Sequence, residues 1–172
     1  IDGSGNDLDN MLTGNAAANR LVGAGGADRL DGGPGADRME GGRGNDVYIV
    51  DDRGDRVVEA VSAGSDLVRA SVSWSLSGTP VENLTLMGEA ALDGIGSDLA
   101  NVITGTAGRN ALEGGRGNDT LQGLGGADLL TGGRGADRFV FRSVAESASS
   151  ARDVVRDFAA GDRIDLSAID AV

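Results

Sequence analysis

The run GGPGADRME (Gly32–Glu40) continues without a break into GGRGNDVYI (Gly41–Ile49). Both phrases are nine residues long, open on glycine, and carry aspartate in sixth place and an apolar residue in eighth. Extending the nine-residue frame outward gives five consecutive units over 5–49: GNDLDNMLT, GNAAANRLV, GAGGADRLD, GGPGADRME and GGRGNDVYI. Five more fill 96–140: GSDLANVIT, GTAGRNALE, GGRGNDTLQ, GLGGADLLT and GGRGADRFV. The two arrays, beginning at Gly5 and Gly96, correspond unit for unit, and in both the sixth place reads Asn, Asn, Asp, Asp, Asp. A fixed short period of this kind is the mark of a stacked repeat architecture.

The eighth place is apolar in every unit: Leu12, Leu21, Leu30, Met39 and Tyr48, then Ile103, Leu112, Leu121, Leu130 and Phe139. Its neighbours are mostly polar, so places seven to nine alternate as a short strand does. The first six places hold Gly, Asn and Asp, the residues of tight turns. Each unit therefore reads as a six-residue turn and a very short strand. Successive units fall on alternate sides, so two units close one coil. The predicted fold is all-β, a parallel β-roll with the eighth-place side chains as a thin internal core. A disordered Gly/Asp linker would have no reason to keep that apolar place.

Four segments follow: a first array at 1–49, a connecting segment at 50–95, a second array at 96–140 and a terminal segment at 141–172. Residues 50–57 keep the frame once more, with Asp55 in sixth place and Val57 in eighth. SVSWSL (Ser71–Leu76) and VENLTL (Val81–Leu86) are then expected as longer strands that continue the stack. After the second array the frame puts Glu146 in sixth place, and RDVVRDF (Arg152–Phe158) echoes SDLVRA (Ser65–Ala70). The chain closes on GDRIDLSAID (Gly161–Asp170), a turn followed by an amphipathic tail.

Composition narrows the chemistry. The 172 residues include 30 Gly but two Pro, and aromatic residues are 3%. All 15 basic residues are Arg, set against 27 Asp plus Glu for a net charge of -12. Such a surface argues against a nucleic-acid partner, which demands basic groups for its phosphates. With no Cys and no His, disulfides, thiolate metal sites and an H-E-x-x-H zinc site are all excluded. No apolar run approaches the roughly 20 residues that cross a bilayer. The start at Ile1, without a signal-peptide pattern, reads as part of a longer protein, where any catalytic chemistry would lie.

One apolar side chain per unit is a thin core against the entropy of ordering the whole nonapeptide. Sixth-place aspartates two units apart also meet on adjacent coils, carboxylate beside carboxylate. A cation between coils resolves both difficulties. Ca²⁺ suits the donors, because it takes six to eight oxygens from carboxylates and backbone carbonyls in flexible geometry, whereas Mg²⁺ demands a strict octahedron.

The consensus G-G-x-G-x-D-x-U-x, with U a large apolar residue, resembles the calcium-binding nonapeptide of RTX (repeats-in-toxin) proteins. GGPGADRME, GGRGNDVYI, GGRGNDTLQ and GGRGADRFV match it at every fixed place; GAGGADRLD and GLGGADLLT each lack one glycine. VENLTLMG and the RDVVRDF…GDRIDLSAID ending also resemble RTX proteins, and the ending in particular is similar to the C-terminal region of serralysin-type metalloproteases and alginate epimerases. The resemblance implies a secreted, extracellular bacterial protein exported by type I machinery, folding on Ca²⁺ outside the cell. The module itself would be a non-catalytic monomer that stabilises a larger chain.

Carried onto this sequence, the ligand aspartates are Asp28, Asp37 and Asp46, then Asp119, Asp128 and Asp137. The pairs Asp28 with Asp46 and Asp119 with Asp137 are expected to be strongest. Asn10, Asn19, Asn101 and Asn110 would contribute weaker amide oxygens, or simple turn chemistry without metal. Asp55, facing Asp37, adds one further candidate. The turn glycines of the site are Gly23, Gly25, Gly32, Gly33, Gly35, Gly41, Gly42 and Gly44. In the second array they are Gly114, Gly115, Gly117, Gly123, Gly125, Gly132, Gly133 and Gly135. Roughly three or four ions per array are expected.

The alternative function is an accessory module that binds an anionic, alginate-like polysaccharide through Arg20 and Arg38, stacked one coil apart. A solvated face paired with Glu40 and Asp31 is the plainer reading of those arginines. Trp74 is expected to pack rather than stack on a sugar. A stiff adhesin rod is a further structural alternative. GAGGADRLDGGPG lacks the βαβ context of a dinucleotide loop, and the carboxylates occupy repeat or turn positions rather than a glycosidase pair.

Overall fold

Turn-forming and strand-forming places alternate along the chain, and the computed structural model, which describes residues 2–61 and 63–169, folds them into a coil. Eighteen short strands alternate between two faces, with no helix among the described residues. One face carries β1 (Asp2–Ser4), β3 (Arg20–Gly25), β5 (Arg38–Arg43) and β7 (Arg56–Val58) as a four-stranded sheet. It resumes as a five-stranded sheet of β9 (Trp74–Ser75), β11 (Asp93–Ile95), β13 (Ala111–Arg116), β15 (Leu129–Arg134) and β17 (Val154–Val155). The other face is a single nine-stranded sheet. It runs β2 (Met11–Thr13), β4 (Arg29–Asp31), β6 (Val47–Val50), β8 (Leu67–Ala70), β10 (Asn83–Leu86) and β12 (Val102–Thr104). It ends with β14 (Thr120–Gln122), β16 (Arg138–Val140) and β18 (Arg163–Asp165). The result is a parallel β-solenoid of about eight turns.

Every pairing between named strands is parallel, and within the arrays the partners are two units apart. Leu12 pairs with Leu30 and Leu30 with Tyr48 on one face; Leu21 pairs with Met39 and Met39 with Val57 on the other. The second array repeats this with Ile103, Leu121 and Phe139, and with Leu112 and Leu130. Leu30, Met39, Tyr48, Ile103, Leu121, Leu130 and Phe139 are wholly buried, so the eighth place is the core. A period-two strand of three residues turns its middle side chain inward, which is why one apolar residue per unit suffices to set the register.

The connecting segment keeps the coil while losing the period. Val47 pairs with Leu67, Leu67 with Asn83 and Asn83 with Val102, so the coils there are longer, shorter and longer again than a pair of nonapeptides. The strands expected there to be longer are two to four residues, no longer than those of the arrays. Val68, Leu76, Val81, Leu84 and Leu86 bury instead, and Trp74 packs against them. After the second array, Leu129 pairs with Val154 and Arg138 with Arg163, and both coils are longer than a nonapeptide pair by the same amount. One excursion of seven extra residues between β16 and β17 explains both. The Arg152–Phe158 segment and its likeness at Ser65–Ala70 lie on opposite faces, in β17 and β8, so the similarity is local rather than a continuation of the duplication. The end of the terminal tail, 170–172, lies outside the described residues.

Candidate metal centre

Each sixth-place residue stands immediately before its strand, and a single hydrogen-bond pattern links these residues along both edges of the roll. The Oδ1 atom of each aspartate accepts the backbone N–H of the sixth-place residue one coil earlier. Asn10 donates to Asp28 (2.7 Å), Asp28 to Asp46 (2.8 Å), Asn19 to Asp37 (2.7 Å) and Asp37 to Asp55 (2.9 Å). Asn101 donates to Asp119, Asp119 to Asp137 and Asn110 to Asp128. These aspartates are at most 2% exposed, apart from Asp55 at 8%.

The second carboxylate oxygen separates the turns into two kinds. In Asp28, Asp37, Asp46, Asp119, Asp128 and Asp137, Oδ2 is buried with no hydrogen-bond partner. In Asn10, Asn19, Asn101 and Asn110 the corresponding Oδ1 accepts the N–H of the second-place residue: Asn6, Asn15, Ser97 and Thr106, at 2.6–2.8 Å. Asp55 behaves like the asparagines, its Oδ2 accepting from Asp51 and Asp52. The difference follows backbone conformation at the second place. There Gly33, Gly42, Gly115 and Gly133 have positive φ in four of the open turns. Ala24 (φ 89°) and Leu124 (φ 70°) adopt it in the other two, and they are the only non-glycine residues described that do. Six turns are therefore open, with a carboxylate oxygen unsatisfied, and five are closed by their own backbone.

The first-place glycine completes the open turns. A Cβ on Gly23 would stand 2.1 Å from Asp28 Oδ2 and 2.6 Å from the Gly41 carbonyl oxygen; on Gly114 it would stand 2.4 Å from Asp119 Oδ2 and 2.5 Å from the Gly132 carbonyl. The space left by the missing methyl is thus lined by an anionic oxygen and a carbonyl oxygen of the following coil. Both are acceptors and neither brings a proton. An orphaned buried carboxylate costs several times an ordinary hydrogen bond unless a cation joins it. Oxygen donors of this mixed kind match a hard divalent ion, and the residues present fit Ca²⁺.

Burial pushes the Asp46, Asp119 and Asp128 carboxyls up to about 6, against the partial relief of the backbone N–H each accepts. Nearby carboxylates push in the same direction, Glu59 and Asp28 on Asp46 and Asp137 on Asp119. Asp137 and Asp55 are also raised by burial. The turns are built for a charge that the protein alone opposes.

Sequence reasoning missed the carboxylates beyond the glycine frame. Asp66 accepts from Asp46, Asp153 from Asp128 and Asp162 from Asp137, all at 2.8–2.9 Å. Asp153 Oδ2 is buried and unpartnered as well. The place given to Glu146 by counting falls to Asp153, since the extra residues carry Glu146 into a turn where it accepts the Arg142 N–H. A signal was present: Asp55-Arg56-Val57, Asp66-Leu67-Val68, Asp153-Val154-Val155 and Asp162-Arg163-Ile164 all retain the D-x-U triplet without the glycines. Arg20 and Arg38 both pair with Glu40, at 2.8 and 3.1 Å, and Arg29 with Asp31 at 3.0 Å.

The family model described as Peptidase M10 serralysin C terminal matches residues 1–172, and the chain belongs to that family. The family is the C-terminal, non-catalytic part of serralysin-type proteases, which are secreted bacterial proteins whose C-terminal repeats bind calcium. No curated protein matches the chain.

Proposed function

We propose that this member of the serralysin C-terminal family is a calcium-dependent folding module, which takes up its ions after type I export and then stabilises a larger secreted protein. The observation that carries the reading is the set of six buried, unpartnered Oδ2 atoms, each beside the space left by a first-place glycine, which a carbonyl of the next coil also lines at Gly23 and Gly114. Asp28, Asp37 and Asp46 would hold ions in the first array, and Asp119, Asp128 and Asp137 in the second, with carbonyls of the neighbouring coil. When bound, the ion supplies the positive charge that lets these carboxylates stay ionised in a dry interior. The closed turns at Asn10, Asn19, Asn101, Asn110 and Asp55 act as the metal-free ends of each array. In this scheme 50–95 is the splice between ion-binding arrays and 141–172 the cap.

Because a roll of this kind has little core of its own, binding energy is folding energy. Circular dichroism during a calcium titration tests the reading, with magnesium as the control. The expected result is little β signal in excess chelator and a cooperative gain toward about 1–10 mM Ca²⁺, the extracellular-module range. An identical spectrum and melting temperature in chelator and in calcium would refute it. The polysaccharide reading has no comparable support, since Arg20 and Arg38 direct their guanidinium groups to one shared glutamate.

A further inference from the structure

Counting the nine-residue frame through Val50–Val58 brings the next first place to Glu59, two units after the first-place Gly41. Where the array would have a bare Cα, the chain puts a carboxylate. It then takes an irregular path to Asp66, which stands before β8 and takes over the role of the sixth-place aspartate by accepting the Asp46 N–H. The result is the one grouping of three potential metal-ligating acids among the described residues: an oxygen from each of Asp46, Glu59 and Asp66 lies within 4.8 Å of the others.

A second observation points into this cluster. Asp46 is 0% exposed; its Oδ1 accepts from Asp28, while its Oδ2 has no partner. That orphan oxygen lies 2.2 Å from the position a Cβ on Gly41 would take, and the Tyr48 hydroxyl lies 2.2 Å from the same point. The hydroxyl accepts the Gly41 N–H at 2.9 Å and donates to Glu59 Oε2. The unsatisfied oxygen therefore faces the spot where Tyr48 presents Glu59. Asp66 is 1% exposed, and Glu82 adds a fourth acid by accepting the Asp66 N–H at 2.9 Å. None of the ion pairs among the described residues involves Asp46, Glu59 or Asp66.

We infer that Asp46, Glu59 and Asp66 form a separate cation site at the splice between the first array and the connecting segment, for a hard ion such as Ca²⁺, with Tyr48 as its wall. Three carboxylates and no nitrogen or sulfur select against zinc and copper. The site fastens β6 to β8 at the turn where the nonapeptide rule lapses. It rests on the array reading only in sharing Asp46.

Terbium tests it, because the ion emits when a close aromatic ring is excited and Tyr48 is the single tyrosine. The full chain is used in a Trp74→Phe background, so that Tyr48 is the sensitiser. Tyr48-sensitised emission should appear on adding Tb³⁺, vanish in Tyr48→Phe and be displaced by Ca²⁺. Glu59→Gln should weaken the emission-detected affinity about tenfold or more, because ligand charge sets affinity in such sites, while Glu113→Gln, an exposed acid of the second array, should leave it unchanged. Equal titrations for Glu59→Gln and its parent would overturn the site. If Glu59→Gln does not fold, the parent still decides: emission that is absent, or persists in Tyr48→Phe, also overturns it. Failure of the array reading looks different, as a calcium-independent circular dichroism spectrum alongside Glu59-dependent terbium emission.

Discussion

Replacing Gly114 by alanine isolates the proposed ion cradle from every other role of a glycine. Gly114 is not in the left-handed region, so alanine meets no backbone strain there. Its methyl would stand 2.4 Å from Asp119 Oδ2 and 2.5 Å from the Gly132 carbonyl, well inside an ordinary contact at each. The carboxylate must move, which breaks the 2.7 Å bond it accepts from Asn101. A hydrogen bond to a charged acceptor is worth about 1.5–3 kcal/mol, and the loss of glycine's unfolded-state freedom returns about 0.4–1 kcal/mol. The net is about 1–2 kcal/mol against folding; each ion taken up on folding makes stability change by about 1.4 kcal/mol per decade of calcium, so with about three ions the folding midpoint moves by roughly a third of a decade. Gly125→Ala is the control: its backbone is equally permissive and its methyl would find nothing nearer than 3.5 Å. That variant should fold at the parent's calcium concentration or slightly below. The assay is the calcium midpoint by circular dichroism, read side by side. If the two alanine variants shift alike, the cradle argument is wrong, since chemistry and loss of flexibility are the same in both.

Two other outcomes follow from the turns. Ala24→Gly should stabilise the calcium-loaded chain to denaturant by up to about 1 kcal/mol, because a non-glycine residue at φ 89° carries roughly 1–2 kcal/mol of strain that exceeds glycine's entropic penalty; a destabilised variant would contradict this. In chelator, carboxyls raised to about 6 (Asp46, Asp119, Asp128) and about 7 (Asp66) hold protons in the folded chain that the unfolded chain has released. Metal-free structure should thus be greatest near pH 4, about the unfolded value, and fade as pH rises toward 7. Calcium affinity should run the other way and weaken as pH falls through about 6; urea melts in chelator and calcium titrations at pH 5.5 and 7.5 check both slopes.

The arrays were legible because one apolar place and one turn composition recur at a fixed spacing, so Leu30, Met39 and Tyr48 could be assigned to the core by counting. The open and closed turns were half legible. Asp against Asn in sixth place separates ten of the eleven, but Asp55 is closed by the N–H groups of Asp51 and Asp52, which depends on backbone angles that the residue type does not declare. Ala24 and Leu124 show the converse: they take the glycine conformation without being glycine. Glu59 escaped notice because it looks like an ordinary charged residue after a strand. It matters only once the coil brings Asp46 and Asp66 beside it.

The aspartate ladder has a direction. Each sixth-place carboxylate reaches back to the amide of the coil before it, so that amide is satisfied by its successor, whereas other amides such as those of Ala27 and Ala136 donate to the coil before them. At the far end the duty passes to Asp153 and Asp162, which serve Asp128 and Asp137 from outside the repeats. A chain that orders from its C-terminal end meets a waiting acceptor at every step, as a zip closes from its stop. One that orders from the other end leaves each sixth-place amide unbonded until the next coil arrives. The terminal segment thus holds the acceptors from which a winding in that direction would start.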